Sequence, residues 1–192
     1  MKKVSLSSVL IFALALTTLS ACGGGGGGGG GSSSGSSSPP PAQPTTAVLT
    51  LSTAVKGAIP APAVIAGYDV TITLPAGVTV KSTALPPQTD SGVVVGTVNG
   101  AAAGTYYVAS YTPATGKVRI VMVSPKGNGF NGAGEFCKVN CDIAKGYYPT
   151  AADFQQQPTF KASGIDDPNA AKPSTVDLTN QLSMVVTASS IQ

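Results

Sequence analysis

The chain has 192 residues, enough for one ordinary domain at roughly 100–200 residues each, but its 24 glycines and 15 prolines are spread unevenly over three unlike pieces. It contains no His and no Trp, Arg119 is the sole arginine and Glu135 the sole glutamate, and only 10% of residues are charged. That census excludes Ser-His-Asp triads, His-ligated metal sites and His-ligated haem. The formal charge of +3 falls to nine minus eight, or +1, once Lys2 and Lys3 are assigned to a removable leader, which leaves no electrostatic footprint for nucleic acid.

Lys2 and Lys3 are followed by Val4 to Leu19, sixteen residues without charge, the basic and apolar regions of a secretory signal. The apolar run falls short of the ~20 residues that span a bilayer. It ends in Leu19-Ser20-Ala21-Cys22, which resembles the lipobox of bacterial lipoproteins at all four positions. That resemblance implies cleavage before Cys22, a thioether from its sulfur to a diacylglycerol and a further acyl chain on the freed amine. Each buried methylene adds about 0.8 kcal/mol, so more than one chain anchors stably where one does not. Gly23 follows the cysteine in place of the Asp that marks inner-membrane retention. The class then implies the outer membrane or cell surface of a Gram-negative bacterium, reached with a signal peptide over residues 1–21.

Residues 22–45 read as the lipidated cysteine and a linker. Nine glycines, Gly23 to Gly31, run into Ser32 to Ser38, broken only by Gly35, and then into Pro39, Pro40, Pro41 and Pro44. No packed core can be made of these. The Gly/Ser part is a flexible coil reaching about 20–25 Å, and the prolines add a stiffer extended piece, so the segment reads as a spacer.

Residues 46–192 change to Val, Thr, Ala and aromatic residues in short runs of period two, separated by Gly, Pro, Asn and Asp. The pattern predicts an all-β sandwich or barrel of eight to ten strands. In chain order these are 47–55, 68–74, 78–82, 92–98, 105–112, 117–123, 135–143, 159–162 and one or two strands within 176–188. Pro113 to Gly116 forms a four-residue hairpin connection. Within 117–123, Val118, Ile120 and Met122 point to the core while Lys117, Arg119 and Val121 point away. Residues 149–154 form a helical turn with Thr150 at its N-cap.

Ile65 to Val78, Lys117 to Val121, Gly134-Glu135-Phe136 and Val139 to Ile143 together resemble the cohesin-like modules of bacterial surface lipoproteins, over roughly residues 47–162. The resemblance implies a jelly-roll β-sandwich of about nine strands, related in fold to some carbohydrate-binding modules. No partner-contacting residue carries over from it. The apolar stretch Leu182 to Val186 lies outside the likeness, and its pairing is not given by it.

Cys137 and Cys141 remain for chemistry. On one continuous strand they share a face with Val139 and Ile143, their Cα atoms about 13 Å apart at roughly 3.3 Å per residue, whereas a disulfide needs about 7 Å or less. Either a bulge or turn joins them in a disulfide, as an oxidising compartment favours, or both are small buried hydrophobes. The Gly127 to Gly134 run lacks the Lys-Ser/Thr of a phosphate cradle and reads as a connecting loop. Asp166-Asp167-Pro168-Asn169 lacks the spaced ligands of an EF-hand and reads as a turn or a calcium-binding oxygen cluster. No metal or cofactor is expected. Tyr106, Tyr107, Tyr111, Tyr147 and Tyr148 are the candidate binding residues, since an aromatic body with a polar tip suits sugar and protein contacts. Tyr106 and Tyr107 point to opposite faces of their strand, and Tyr111 follows Tyr107. The expectation is a lipid-anchored binding or scaffolding module with a protein or polysaccharide partner and no enzymatic activity; the rival is an enzyme or accessory module acting on surface glycans.

Overall fold

The computed structural model describes residues 42–83, 88–97, 106–124, 130, 132–155 and 158–192. The leader, Cys22, the Gly/Ser/Pro linker up to residue 41 and, within the glycine-rich 127–134 run, residues 127–129 and 131 lie outside the described residues. Ten strands are present among them: β1 (Thr46–Val55), β2 (Val64–Thr73), β3 (Val78–Thr79), β4 (Val94–Gly96), β5 (Tyr106–Thr112), β6 (Lys117–Val123), β7 (Gly134–Ile143), β8 (Thr159–Ile165), β9 (Thr175–Asp177) and β10 (Leu182–Ile191). Every pairing is antiparallel. One sheet runs β10-β1-β7-β3, with β4 also on β7; the other runs β5-β6-β2-β8-β9. The described residues form an all-β sandwich.

Period two explains most of this directly. Val118, Ile120 and Met122 are buried and Lys117 and Arg119 exposed. Facing them from the other sheet are Leu49, Leu51 and Val139, equally buried, and each such side chain contributes about 1.5–3 kcal/mol by leaving water. At the centre Tyr68 packs its ring against Phe130, Phe136 and Phe160, with centroids 4.7, 4.9 and 5.8 Å away. Burial pushes the Tyr68 hydroxyl up in pKa, opposed by a hydrogen bond with Thr53.

Departures from strict alternation have local causes. The strand predicted at 68–74 begins at Val64, because a register shift between Ile65 and Gly67 breaks the pattern that would have revealed its first residues. The strand predicted at 78–82 stops at Thr79. Beyond it the chain turns to a different partner, with Ser82 bridging Thr89 and the Lys81 carbonyl accepting the Asp90 N–H at 3.0 Å. In β7, Leu51 faces Cys137 and Ser52 faces Glu135, leaving Phe136 unopposed. This bulge lets Phe136 and Cys137, adjacent in sequence, both be buried. Leu182 to Val186 finds its place on the edge strand β10, which pairs with β1 from Val55↔Leu182 to Ala47↔Ile191.

The bulge decides the cysteine question. It precedes Cys137 instead of falling between the two cysteines, so Cys137, Val139 and Cys141 follow ordinary strand spacing and both thiols are free and buried. Of the two alternatives, the structure sets aside the disulfide and matches two small buried hydrophobes at core positions. Burial, with Asp142 adding, pushes the Cys141 thiol up to about 12, and Cys137 rises further for the same first reason, with Glu135 adding.

The hairpin at Pro113–Thr115 closes through Gly116 at φ 62°, a left-handed position that suits glycine. The helical turn is a single 3-10 turn, Ala151–Phe154. Asp153 Oδ2 accepts the Thr150 N–H at 2.7 Å and its hydroxyl at 2.8 Å, and Phe154 is buried in the core.

Candidate functional site

The five tyrosines do not form one surface. Tyr111 is 4% exposed and belongs to the core, so it is withdrawn from the candidates. It shares the inward face of β5 with Ala109, opposite Val118 on β6. Tyr107 has the same parity, yet it is exposed while its β6 partner Met122 is buried, because it lies near the start of β5, the edge strand of its sheet.

Strand register places the remaining four at opposite ends of the sandwich. Tyr106 and Tyr107 face Val123 and Met122 at the end of β6 distant from the hairpin. Tyr147 and Tyr148 follow β7 beside the Pro75-Ala76-Gly77 turn, which leaves β2 at the hairpin end, where the Leu74 N–H donates to the Gly116 carbonyl. Tyr147 is seated on that turn: a Cβ added to Gly77, whose φ is +77°, would stand 2.0 Å from the ring's Cγ.

Tyr106 stands instead at the end of an ordered face. On the outer side of the β5-β6-β2-β8-β9 sheet, one row crosses all five strands: Tyr106, Val123, Gly67, Ser163 and Asp177. Four strand gaps make it about 19 Å long. The next row is Val108, Val121, Asp69 and Lys161. A third contains Arg119, whose guanidinium reaches back to Asp69 with Nη2 2.6 Å from Oδ2 and Nε 3.0 Å from Oδ1. These rows enclose an open trough of about 500 Å³, floored by Gly67 and walled by Val121 and Val123 on one side and Lys161, Ser163 and Asp177 on the other.

The trough's electrostatics are mixed in sign. Asp69 is held below the usual carboxylate range by the Arg119 hydrogen bonds, then by the charges of Arg119 and Lys161. Asp177 is held low by hydrogen bonds from the Thr179 hydroxyl and N–H, the latter at 2.8 Å, and by Lys161. Lys161 thus acts on both carboxylates. A Cβ at Gly67 would approach the Met122 carbonyl and the Ser163 hydroxyl to 3.0 Å each. Glycine there leaves room for Ser163 to lean over the middle strand.

Elsewhere the polar groups serve the fold. Asp166 Oδ1 accepts the N–H groups of Asp167 and Ser174 at 2.7 and 2.8 Å, and Asp167 accepts that of Asn169 at 2.8 Å, so the acidic loop is built as a turn. Glu135 pairs with Lys138 at 3.6 Å. A hollow of about 370 Å³ on the outer face of the other sheet carries no aromatic residue, and its Asn140 amide donates to the Gly92 carbonyl at 2.8 Å.

Sequence reading singled out Tyr106 but missed Asp69, Lys161, Ser163 and Asp177 as its companions. The available signal was that Asp69, Arg119 and Lys161 are charges at outward strand positions in a chain that is 10% charged; that they meet depends on pairings between segments about 50 and 90 residues apart. No protein-family model, curated protein or solved structure matches this chain.

Proposed function

We propose that this chain is a surface lipoprotein, anchored in the outer membrane through Cys22, whose cohesin-like jelly-roll sandwich binds a protein or polysaccharide partner at the end of a Gly/Ser/Pro tether. The observation that carries the binding role is the outer face of the five-stranded sheet, where exposed Tyr106 and Val108 adjoin a charged trough that no other described element fills. The lipobox residues and linker support the anchored setting.

The hydrolytic rival has one observation to answer, because Asp69 and Asp177 line the same trough. Glycoside hydrolysis wants one carboxyl with a raised pKa as general acid. Both of these are shifted downward, by Arg119 and by Thr179 respectively, which favours two permanent carboxylates suited to accepting hydrogen bonds. Pull-down with the full-length chain, run beside a glycan array, tests the binding reading, and silence in both refutes it. Cys22→Ser is expected to release the protein from membranes; unchanged retention refutes the lipid anchor.

A further inference from the structure

Taking the binding reading as its premise, we infer that the ligand of the outer face is a neutral polysaccharide chain, lying across the strands along the Tyr106-Val123-Gly67-Ser163-Asp177 row with one sugar ring stacked on Tyr106. Charge selects the ligand class first. Arg119 and Lys161 are matched by Asp69 and Asp177 within three rows of the sheet, with Lys117 one row further along, so the part of the face around the trough has no net charge with which to hold a polyanion or polycation, and a strongly charged polymer meets as much repulsion as attraction there.

Side-chain chemistry selects next. A sugar ring has an apolar C–H face and a rim of hydroxyls. Tyr106, Val108 and Val123 offer an exposed apolar strip, while Lys161, Ser163 and Asp177 offer a donor, a hydroxyl and an acceptor beside it. The absent side chain at Gly67 leaves room for the Ser163 hydroxyl over the middle strand, between the two halves. A folded protein partner fits this face less well. The cores of protein interfaces are depleted of charge, whereas here Asp69 and Lys161 occupy the middle of the sheet. A standard interface also buries about 800 Å² per partner, for which the apolar strip is narrow.

The test is native affinity electrophoresis of the full-length chain in detergent micelles through gels containing mannan, dextran or mixed-linkage glucan, with polygalacturonate as the acidic comparison. Retardation is expected in at least one neutral gel and not in polygalacturonate. Tyr106→Ala is expected to weaken it about tenfold or more, as loss of an exposed aromatic anchor does. Lys161→Met is expected to weaken it as well and serves should Tyr106→Ala not fold, and Tyr148→Ala is expected to leave it unchanged. Retardation by polygalacturonate alone, binding indifferent to both Tyr106→Ala and Lys161→Met, or no retardation in any gel overturns the inference. A purified surface protein bound in a Tyr106-dependent manner with no glycan binding would overturn it while leaving the binding module standing; absence of both kinds of partner removes the binding module too.

Discussion

The two exposed tyrosine pairs make a controlled comparison within one molecule. Tyr107 and Tyr147 are both 46% exposed, and Tyr106 and Tyr148 are 67% and 60% exposed, yet the pairs have different surroundings. Tyr147 lies on a backbone turn whose glycine makes room for its ring, so its contact is internal and serves the fold. Tyr106 lies on a sheet face beside valines and charges, with its ring available to a ligand. Exposure alone does not separate an aromatic open to a ligand from a capping one; what the ring rests on does.

The largest expected effect breaks the capping side of that comparison. Gly77→Ala places a methyl inside the Tyr147 ring and forces a non-glycine residue to φ +77°, where the backbone term alone costs roughly 1–2 kcal/mol. A fall in Tm of several degrees is expected by circular dichroism, at about 2–4 °C per kcal/mol for a domain of this size. An unchanged Tm would mean the ring is not seated there. Tyr147→Ala comes next, at about 1–2 kcal/mol for a half-buried ring, whereas Tyr148→Ala stays within about 0.5 kcal/mol.

The buried thiols extend the comparison into dynamics. Cys141 pairs with Ala47 near the Tyr147 end, and Cys137 pairs with Leu51 and Gly96 toward the other. Both are buried and held protonated, so a maleimide at pH 8 labels them only through opening of the sandwich. Tyr147→Ala is expected to accelerate labelling of Cys141 over Cys137, read by peptide mass mapping. Equal acceleration would show that the sandwich opens as one unit.

What the sequence disclosed follows the range of the interactions involved. Lys117–Val123 was legible to the residue because period two is local and neither bulge nor end effect intrudes. The first residues of β2 and the double burial of Phe136 and Cys137 were hidden by bulges, which break parity without leaving a compositional mark. Tyr111 could have been placed inside from its parity with the core positions of its hairpin partner. Tyr107, with that same parity, could not, because its exposure goes with β5 lying at the edge of its sheet, which parity does not reveal. The trough was the least legible feature, since Asp69, Lys161 and Asp177 become neighbours only through the order of β2, β8 and β9 in the sheet.

The smallest expected effect sharpens the binding side, and it lies in acid. Asp69 and Asp177 at the trough, and Asp153 beneath the Thr150 turn, all have pKa values lowered from 3.8. A carboxylate lowered on folding stabilises the native state above its unfolded pKa, and that contribution is lost as pH falls through the lower native value. Stability should therefore decline below about pH 4 and not above it, modestly, because these groups are solvent-exposed and screened. Asp69→Asn removes the trough's share and Asp153→Asn the turn's, so each should flatten the profile of Tm between pH 5 and pH 3. Only Asp69→Asn should also disturb ligand binding at neutral pH, where Arg119 would be left without its bidentate partner and the face would gain a positive charge. Identical effects of the two variants on binding would dissolve the distinction between a functional and a structural end, and a wild-type Tm that rises on acidification would reverse the sign of the carboxylate contribution.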